Sequence, residues 1–339
     1  MKDKKKIFYY CADVNPKTTK SLGIYKVTKE ILNQIEKNFE VTLILSKDSE
    51  KYFSEFKCKK IILKSRFPYF LNKLLIFPNL AKKIAKREGI EIIFFPKGHT
   101  PIFKDKYVKY ISFIHDLIPL YYLKKTNNPK YLLIVLLLIN SIKKSDLIFT
   151  NSNYSKSQIS KFTNKGVEVV PLGVNSKKKI LSPILKDHYV FILGNKNPHK
   201  NIGKSIELLK EYNQKYKKNL KYLTSSGNLT EEELAGYYKN AKFSLFLSSI
   251  EGFGLPLIES YSYGTPVVFN NQTSLAEIGQ DLPGKCDIEN KQSVFDAINR
   301  ILKLNNSQIE KDKKKLLDKY NWDVCGYKVT KILKGILLK

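Results

Sequence analysis

The chain is short of cysteine, tryptophan, methionine and long apolar runs. Its 339 residues include 4 cysteines, 1 tryptophan and 1 methionine. The cysteines, Cys11, Cys58, Cys286 and Cys325, have no paired spacing, which argues against a disulfide framework or a zinc site and is typical of reduced thiols in the cytosol. The most apolar run, residues 131–139, is about half of the ~20 residues that a membrane-spanning helix needs. It predicts a buried helix.

Arginine is scarce, although the chain is strongly basic. Of the 60 basic residues only three are arginine, against 31 acidic residues and a net charge of +29. Proteins that read base edges or clamp phosphates bidentately rely on arginine, so we expect no nucleic-acid partner. Two explanations of the lysine surplus stay open: codon bias in an AT-rich genome, and attraction of a basic surface to an anionic membrane or to polyanionic ligands.

The length exceeds the size at which a single hydrophobic core stops growing, so two domains are expected. Residues 1–15 hold too few apolar residues for a signal peptide and favour a first strand, which predicts a cytoplasmic protein. The predicted organisation is a first domain over residues 1–178, a second over 179–305, and C-terminal helices over 306–339 that could pack back on the first domain.

Short β-branched and aromatic runs alternate with longer segments of helical period, the pattern of parallel βαβ units. The fold class predicted is α/β, with two Rossmann-like doubly wound domains. The predicted strands are residues 6–12, 41–45, 60–64, 91–95, 110–114, 147–151 and 167–172, then 189–194, 220–225, 243–248 and 266–270. The predicted helices are residues 24–37, 73–88, 128–144 and 153–163, then 202–217, 231–240, 256–263, 274–279 and 291–303.

The most specific local pattern is EGFGLPLIESYSYGTPVV, residues 251–268. It follows the apolar run 243–248, so it should leave a strand at the carboxyl edge of a sheet, where open α/β sheets bind ligands. Gly252 and Gly254 allow a sharp turn with exposed N–H groups, and Pro256 suits the first turn of the helix that follows. The segment therefore predicts a helix N-terminus with free donors, which is an anion site.

Two carboxylates flank this predicted anion site, Glu251 before the turn and Glu259 in the helix. A nucleotide-sugar has a diphosphate between a ribose and a hexose, and ionised carboxylates accept hydrogen bonds from sugar hydroxyls. Glu251 could hold the hexose and Glu259, placed in the first turn, the ribose. The alternative is structural: Glu259 only complements the helix dipole and Glu251 is a solvated loop residue.

The segment SSIEGFGLPLIESYSYGTPVV resembles the signature of family 4 glycosyltransferases, retaining enzymes of the GT-B fold, in which two Rossmann-like domains face each other across a cleft. Glu251 and Glu259 match that family's Glu-x7-Glu motif. Further similar segments occur in the family's order. They are FIHDLIPLYY at 113–122, SDLIFTNSNYSKSQI at 145–159, VEVVPLGVN at 167–175, FILGNKNPHKNI at 191–202, SLAEIG at 274–279 and YNWDVCGYKV at 320–329.

The resemblance implies roles for single residues. Catalytic roles fall on Glu251, on Lys200 as the phosphate-binding lysine, and on His115, which would face the donor sugar. Asp116 is expected to cap or orient. Asn195 and Lys196 stand where many relatives have an arginine, so a bidentate phosphate clamp is absent and Lys196 is a candidate substitute. The implied donor-binding residues are Glu259, Gly252, Phe253, Gly254, Leu255, Lys196, Asn195 and Gly23.

The resemblance also implies the reaction. A hexose would pass from a nucleoside diphosphate to a hydroxyl with retention, by a front-face mechanism in which the leaving phosphate assists deprotonation of the acceptor. No Asp-x-Asp triplet occurs in the chain, so we expect no metal and no other cofactor. The variants HDLIPL and PHKN resemble those of mannosyl- and rhamnosyltransferases, which favours GDP-mannose as donor.

The acceptor is expected on the first domain. Residues 67–89 mix aromatics and leucines with lysines, which suits either an anionic bilayer or a solvated amphipathic helix. The membrane alternative implies a saccharide or lipid-linked acceptor of cell-envelope or glycan synthesis, and a protein peripheral to the inner face of the cytoplasmic membrane. Rival interpretations are another GT-B enzyme, such as an epimerase or phosphorylase, and a basic nucleic-acid-binding protein.

Overall fold

The computed structural model describes residues 4–15, 22–126, 128–174, 189–225 and 229–337. The chain divides into two units. Unit 1 is Met1–Pro171 together with Trp322–Lys339, and unit 2 is Leu172–Asn321. The predicted boundary at 178/179 lies outside the described residues. The predicted C-terminal segment, 306–339, is divided between the units: its residues up to Asn321 belong to unit 2, and those from Trp322 onward belong to unit 1.

Unit 1 is built on a parallel sheet whose described strands lie in the order β3-β2-β1-β4-β5-β6-β7. The five central strands are almost entirely buried, as parallel strands covered on both faces are, whereas the edge strands β3 and β7 are partly exposed. Their bounds are β1 Lys6–Tyr10, β2 Glu40–Ser46, β3 Lys59–Leu63, β4 Ile92–Phe95, β5 Lys109–Phe113, β6 Leu147–Thr150 and β7 Val167–Val169.

The α-helices of unit 1 are α1 Leu22–Glu36, α2 Lys47–Glu50, α3 Tyr69–Leu71, α4 Phe77–Arg87, α5 Ile118–Thr126, α6 Pro129–Lys144, α7 Asn153–Ile159 and, from the C-terminal segment, α14 Trp322–Leu337. A π-helical turn, Asn72–Ile76, joins α3 to α4, and a 3₁₀ turn, Lys51–Phe53, follows α2.

Unit 2 has a second parallel sheet, with its described strands in the order β12-β11-β10-β8-β9. Its strands are β8 Tyr189–Ile192, β9 Tyr222–Thr224, β10 Ala241–Phe246, β11 Val267–Asn270 and β12 Lys285–Cys286. Its α-helices are α8 Ile202–Tyr216, α9 Glu231–Asn240, α10 Leu255–Ser262, α11 Thr273–Ile278, α12 Lys291–Leu302 and α13 Asn306–Lys319, and Pro198–Lys200 forms a 3₁₀ turn. Helix α9 begins with a capping box: the Thr230 hydroxyl accepts from Glu233 N, and the Glu233 carboxylate accepts from Thr230 N.

The prediction of a buried helix at residues 131–139 was wrong. The run lies on α6, but its apolar side chains surround the helix, and only Val135 and Leu138 are buried. Leu132, Leu133 and Leu136 are exposed large apolar side chains. Among the described residues, no helix is long and apolar enough to cross a membrane.

Helix α14 packs against α1 through one apolar stripe. Cys325, Val329 and Leu333 recur at four-residue intervals and are at most 1% exposed, so they lie on one face of the helix. Gly326 lies close to α1, since a Cβ on it would be 2.4 Å from Gln34 Oε1. The C-terminal helix is therefore part of the core of unit 1.

We expect Leu333→Ala to destabilise unit 1 by about 2–5 kcal/mol, because it leaves a cavity in this interface. The control Tyr327→Ala, at a side chain 66% exposed on the same helix, should cost about 0.5 kcal/mol or less. Urea unfolding followed by circular dichroism measures both. Equal, small losses would show that α14 does not stabilise the unit.

Candidate active site

The turn from β10 into α10 carries Glu251, and Gly254 fixes its path. Gly254 has φ +129° and is the residue that precedes the first helical turn. A Cβ on it would lie 2.6 Å from Leu275 Cδ2, so both conformation and packing require glycine. Leu255 begins α10 and is half-buried, with Pro256 in the first turn. Pro256 has no N–H, and Leu257 N donates to Gly254 O at 3.0 Å. This end of α10 therefore offers an anion the N–H of Leu255 and the positive end of the helix dipole.

The start of α11 holds the Glu251 turn in place. Glu251 N donates to Thr273 Oγ1 at 3.3 Å. The Ser274 hydroxyl lies within hydrogen-bonding distance of two carbonyl oxygens, Glu251 O at 2.9 Å and Phe253 O at 2.5 Å, and its one proton is donated to one of them or shared between them. Thr273 has φ +57°, which β-branched residues rarely adopt. Sequence reasoning did not assign these hydroxyls a role, and the φ of Thr273 has no sequence signal.

Lys200 and Glu251 form a buried ion pair. Lys200 Nζ lies 2.5 Å from Glu251 Oε1, with the side chains 15% and 10% exposed. These residues were predicted to bind separate ligand groups, a phosphate and a hexose, and in the structure each is the other's ion-pair partner. Lys200 Nζ also lies 5.2 Å from the centre of the Phe246 ring. The pair places a cation and a carboxylate side by side at the carboxyl end of β10.

Two residues bring the Lys200 turn close to β10. Gly194 has φ +155°, and a Cβ on it would lie 2.9 Å from Lys200 Cβ, so a side chain there would push the lysine away. Asn201 adopts φ 51° and donates through Nδ2 to Leu247 O at 2.8 Å and to Ser249 Oγ at 2.7 Å. These bonds tie the turn to the segment that leads to Glu251.

His199 was not among the candidates, and the structure gives it a supporting position. Its side chain is 5% exposed, and its carbonyl accepts from Ser249 N at 2.8 Å. Burial, with the neighbouring Lys200 ammonium, lowers the pKa of His199 to about 4. The imidazole is therefore neutral at physiological pH and adds no positive charge next to Lys200.

Glu259 is the fifth residue of α10, one residue later in the helix than predicted, because the helix begins at Leu255. It accepts a hydrogen bond from the Tyr238 hydroxyl at 3.3 Å. Burial and the Glu259 carboxylate raise the pKa of Tyr238 well above its ordinary value, so the phenol stays a donor. Glu259 is half-buried. At this distance from the helix end, complementing the dipole is a weak explanation for it.

The other predicted donor residues lie in different surroundings. Gly252 and Phe253 are buried, and the Phe253 ring packs edge-on against Tyr320 at 5.6 Å, so it has a partner within the protein. Asn195 and Lys196 are exposed and line a shallow depression of about 310 Å³. Gly23 is in unit 1, exposed near the start of α1, with open space where a Cβ would be.

His115 lies in unit 1, two residues beyond β5. Its ring stacks on Phe113 at 4.7 Å, and Nε2 lies 2.8 Å from Pro96 O. Since a carbonyl oxygen can only accept, Nε2 carries the proton and Nδ1 of the neutral ring is an acceptor. Asp116 Oδ1 accepts from Ile118 N at 2.9 Å and so caps α5, as expected for a capping residue.

No group of three or more histidine, cysteine, aspartate or glutamate side chains within the described ranges is arranged to hold a metal ion. The positive groups near Glu251 are the Lys200 ammonium and the amino end of α10. The arrangement can bind an anion and, through carboxylates, hydroxyl groups.

Comparison with known proteins supplies the class of reaction. Residues 23–178 match the model of Glycosyltransferase Family 4, and residues 202–316 match that of Glycosyl transferases group 1. An uncharacterized glycosyltransferase of Methanocaldococcus jannaschii is 26% identical over 281 residues, which cover 75% of this chain and 78% of that protein. The O-antigen chain mannosyltransferase RfbU of Salmonella typhimurium is 24% identical over 216 residues, 57% of this chain and 60% of the relative.

Among solved structures, HepE of Anabaena in complex with UDP and glucose is similar, with a TM-score of 0.70 and 13% identity, covering 98% of this chain and 100% of that one. At that identity the likeness concerns the fold alone. The predictions of an α/β GT-B fold and of a glycosyltransferase are confirmed. The chain is a glycosyltransferase with the GT-B fold, built from a first unit that matches the Glycosyltransferase Family 4 model and a second that matches the group 1 model.

Proposed function

We propose that the chain is a retaining hexosyltransferase that moves mannose from GDP-mannose to a hydroxyl of a saccharide or lipid-linked saccharide. The observation that carries the proposal is the buried Lys200–Glu251 pair beside the amino end of α10. It joins the two kinds of group that a sugar diphosphate needs, a cation for the phosphates and a carboxylate for the hydroxyls.

The diphosphate is assigned to the positive amino end of α10 and to Lys200. The lysine need not leave Glu251, because an ammonium has three protons to donate. Glu251 then accepts from hexose hydroxyls, and Glu259 accepts from the ribose. Asn195 and Lys196, at the exposed rim, are assigned to the outer face of the diphosphate.

In the reaction, the bond between the anomeric carbon and the phosphate oxygen breaks, and the acceptor oxygen forms a bond to the same carbon on the same face. The acceptor's proton passes to the leaving diphosphate. Lys200 and the end of α10 stabilise the charge that grows on that diphosphate. With this cation and dipole in place, the proposal requires no metal ion. His115 accepts a hydrogen bond from the donor sugar through Nδ1.

The choice of mannose rests on relatives. RfbU and the O-antigen chain mannosyltransferase B of Escherichia coli, 44% identical over 55 residues, are named as mannosyltransferases. The second match covers 14% of that protein, so the similarity is limited to one segment. These relatives support mannose as the transferred sugar, but they do not bear on the acceptor.

The acceptor is proposed to be presented at an anionic bilayer on the cytoplasmic side. Phe67 and Phe70 are 58% and 54% exposed and neighbour the basic Arg66. Exposed aromatics beside basic residues favour the interface of an anionic membrane, where the net charge of +29 adds attraction.

Glu251→Gln should lower transfer of mannose from GDP-mannose by about 10²-fold or more, because an amide replaces the acceptor of the hexose hydroxyls and ends the ion pair with Lys200. Glu207→Gln, at an exposed residue of α8, is the matched control and should keep full activity. Release of GDP with and without an acceptor alcohol is the assay. Unchanged turnover in Glu251→Gln, or equal release without acceptor, would refute the proposal.

GDP-mannose should raise the melting temperature of the wild-type chain more than other nucleotide-sugars, since a ligand at 100 times its Kd adds about 2.7 kcal/mol of stability. Lys200→Met should remove most of that increase, because the phosphates lose their cation. Lys210→Met, at an exposed lysine of α8, is the control. A panel in which no nucleotide-sugar shifts the melting temperature would contradict the donor assignment.

The stability of the chain should fall as pH decreases from about 6.5 toward 4. Burial lowers the pKa of His115 to about 4, and Lys97 acts in the same direction. The unfolded chain therefore binds a proton in this window that the folded chain does not, and unfolding becomes more favourable. His115→Gln should make the dependence of the urea midpoint on pH less steep between 6.5 and 4. An unchanged slope would mean that His115 titrates normally.

A further inference from the structure

A compact group of charged side chains lies at the carboxyl edge of the unit 1 sheet, apart from the residues assigned above. Asp13 follows β1, and Lys97 and His99 follow β4. The two strands are hydrogen-bonded neighbours in the parallel sheet, so their carboxyl ends meet at one edge. We call Asp13, Lys97, His99 and the nearby Lys73 the edge cluster.

Asp13 organises the edge cluster. Its side chain is 1% exposed, and its Oδ2 lies 3.1 Å from His99 Nδ1 and 3.9 Å from Lys97 Nζ. Lys97 Nζ also donates to Asp13 O at 2.9 Å. Burial acts to raise the pKa of Asp13, but Lys97 and His99 outweigh it and lower the pKa to about 2. Asp13 is therefore an anion at every physiological pH.

One oxygen of this buried carboxylate is unsatisfied. Asp13 Oδ1 is buried and has no hydrogen-bond partner among the described residues. A charged oxygen without a donor in the protein interior is costly, and such atoms usually mark a place that a ligand or water fills. A hydroxyl group is the donor that suits it.

Lys73 supplies a positive charge that no carboxylate neutralises directly. It lies on the π-helical turn Asn72–Ile76, is half-buried, and makes no hydrogen bond or ion pair with any described residue. Burial lowers the pKa of Lys73, and so does the nearby Lys97, while Asp13 opposes them. π-Helical turns are frequent at functional sites, and this one presents a desolvated ammonium to the cluster.

The charges do not balance. Two ammonium groups, Lys73 and Lys97, share one carboxylate, and His115 lies close enough for Lys97 to disfavour its protonation. A cluster with surplus positive charge and a free carboxylate oxygen fits a ligand that carries an anionic group next to a hydroxyl. A phosphate with three acceptor oxygens can take hydrogen bonds from both lysines at once.

We propose that the edge cluster is the acceptor site and that it selects an acceptor bearing a phosphate ester, with Lys73 and Lys97 on the phosphate and Asp13 Oδ1 on an adjacent sugar hydroxyl. The proposal rests on the proposed function for the transfer step, since it names the substrate class of that reaction. The phosphate ester belongs either to a soluble sugar phosphate or to a lipid-linked sugar.

The test is isothermal titration calorimetry of the full chain, which measures its dissociation constants for glucose 6-phosphate and for glucose. Glucose 6-phosphate should bind at least about tenfold more tightly, because its phosphate accepts charge-assisted hydrogen bonds that glucose cannot make. Lys73→Gln should remove that preference. The matched control is Lys6→Gln, which removes an exposed lysine at the amino end of β1 and should leave the preference intact.

Equal affinity for the two sugars, or equal losses in Lys73→Gln and Lys6→Gln, would overturn the assignment. The melting temperature of Lys73→Gln verifies that it folds, and Lys73→Met, which keeps the apolar stem, replaces it if it does not. The methyl phosphodiester of glucose serves as a further probe. Tighter binding of either ester than of glucose supports the site, and the tighter of the two identifies a soluble or a lipid-linked source.

A second measurement distinguishes a failure of the donor proposal from a failure of the edge-cluster proposal. GDP-mannose is added to the wild type and to Lys73→Gln, and its effect on melting temperature is measured. The shift should be the same in both, because Lys73 belongs to unit 1 and the assigned donor groups to unit 2. Absence of any shift would refute the proposed donor alone, while the titration with the sugar phosphate still decides the edge cluster.

Discussion

The candidate active site depends on the ion pair between Lys200 and Glu251. A charge buried without a partner is strongly destabilising, so the turn that carries the lysine and the turn that carries the glutamate have to be held at a fixed spacing. Gly194, Gly254 and the Asn201 amide serve that requirement, either by removing a side chain or by bridging the two turns. The glycines and the amide in the motifs are thus explained by the geometry of one pair.

The two units use the same edge of a parallel sheet for different charges. In unit 2 a single lysine is neutralised by a glutamate next to a helix end. In unit 1 two lysines share one aspartate. Both groups follow buried strands, because only the carboxyl ends of parallel strands release loops at a common edge while the strands themselves stay apolar.

Much of the fold could be predicted because alternation of short apolar runs with amphipathic segments is a local property of the sequence. Strand β12 could not be predicted, because it consists of only Lys285 and Cys286. Two residues are too few to show a periodic pattern in the sequence. The exposed face of α6 was also beyond prediction, since a helix that is apolar all round does not reveal which side the core covers.

Within the candidate site, Glu251, Glu259 and Lys200 could be found because they stand at fixed spacings beside glycines. Ser274 could not, and neither could Asp13 and Lys97 of the edge cluster in unit 1. Their contacts join positions separated by 21 to 86 residues, and no local pattern in the sequence distinguishes these residues. The sequence also does not show which unit each C-terminal helix packs against. Helices α13 and α14 are both amphipathic, so either could cover either unit, and only tertiary packing assigns α13 to unit 2 and α14 to unit 1.

Helix α14 has a consequence for how the protein is made. Unit 2 is one continuous stretch, Leu172–Asn321, whereas unit 1 needs α14 from the far end of the chain. During translation unit 2 has all its residues outside the ribosome before Leu333 appears, so the unit encoded first is the last to be completed. The face of α1 that α14 covers stays exposed until α14 has emerged.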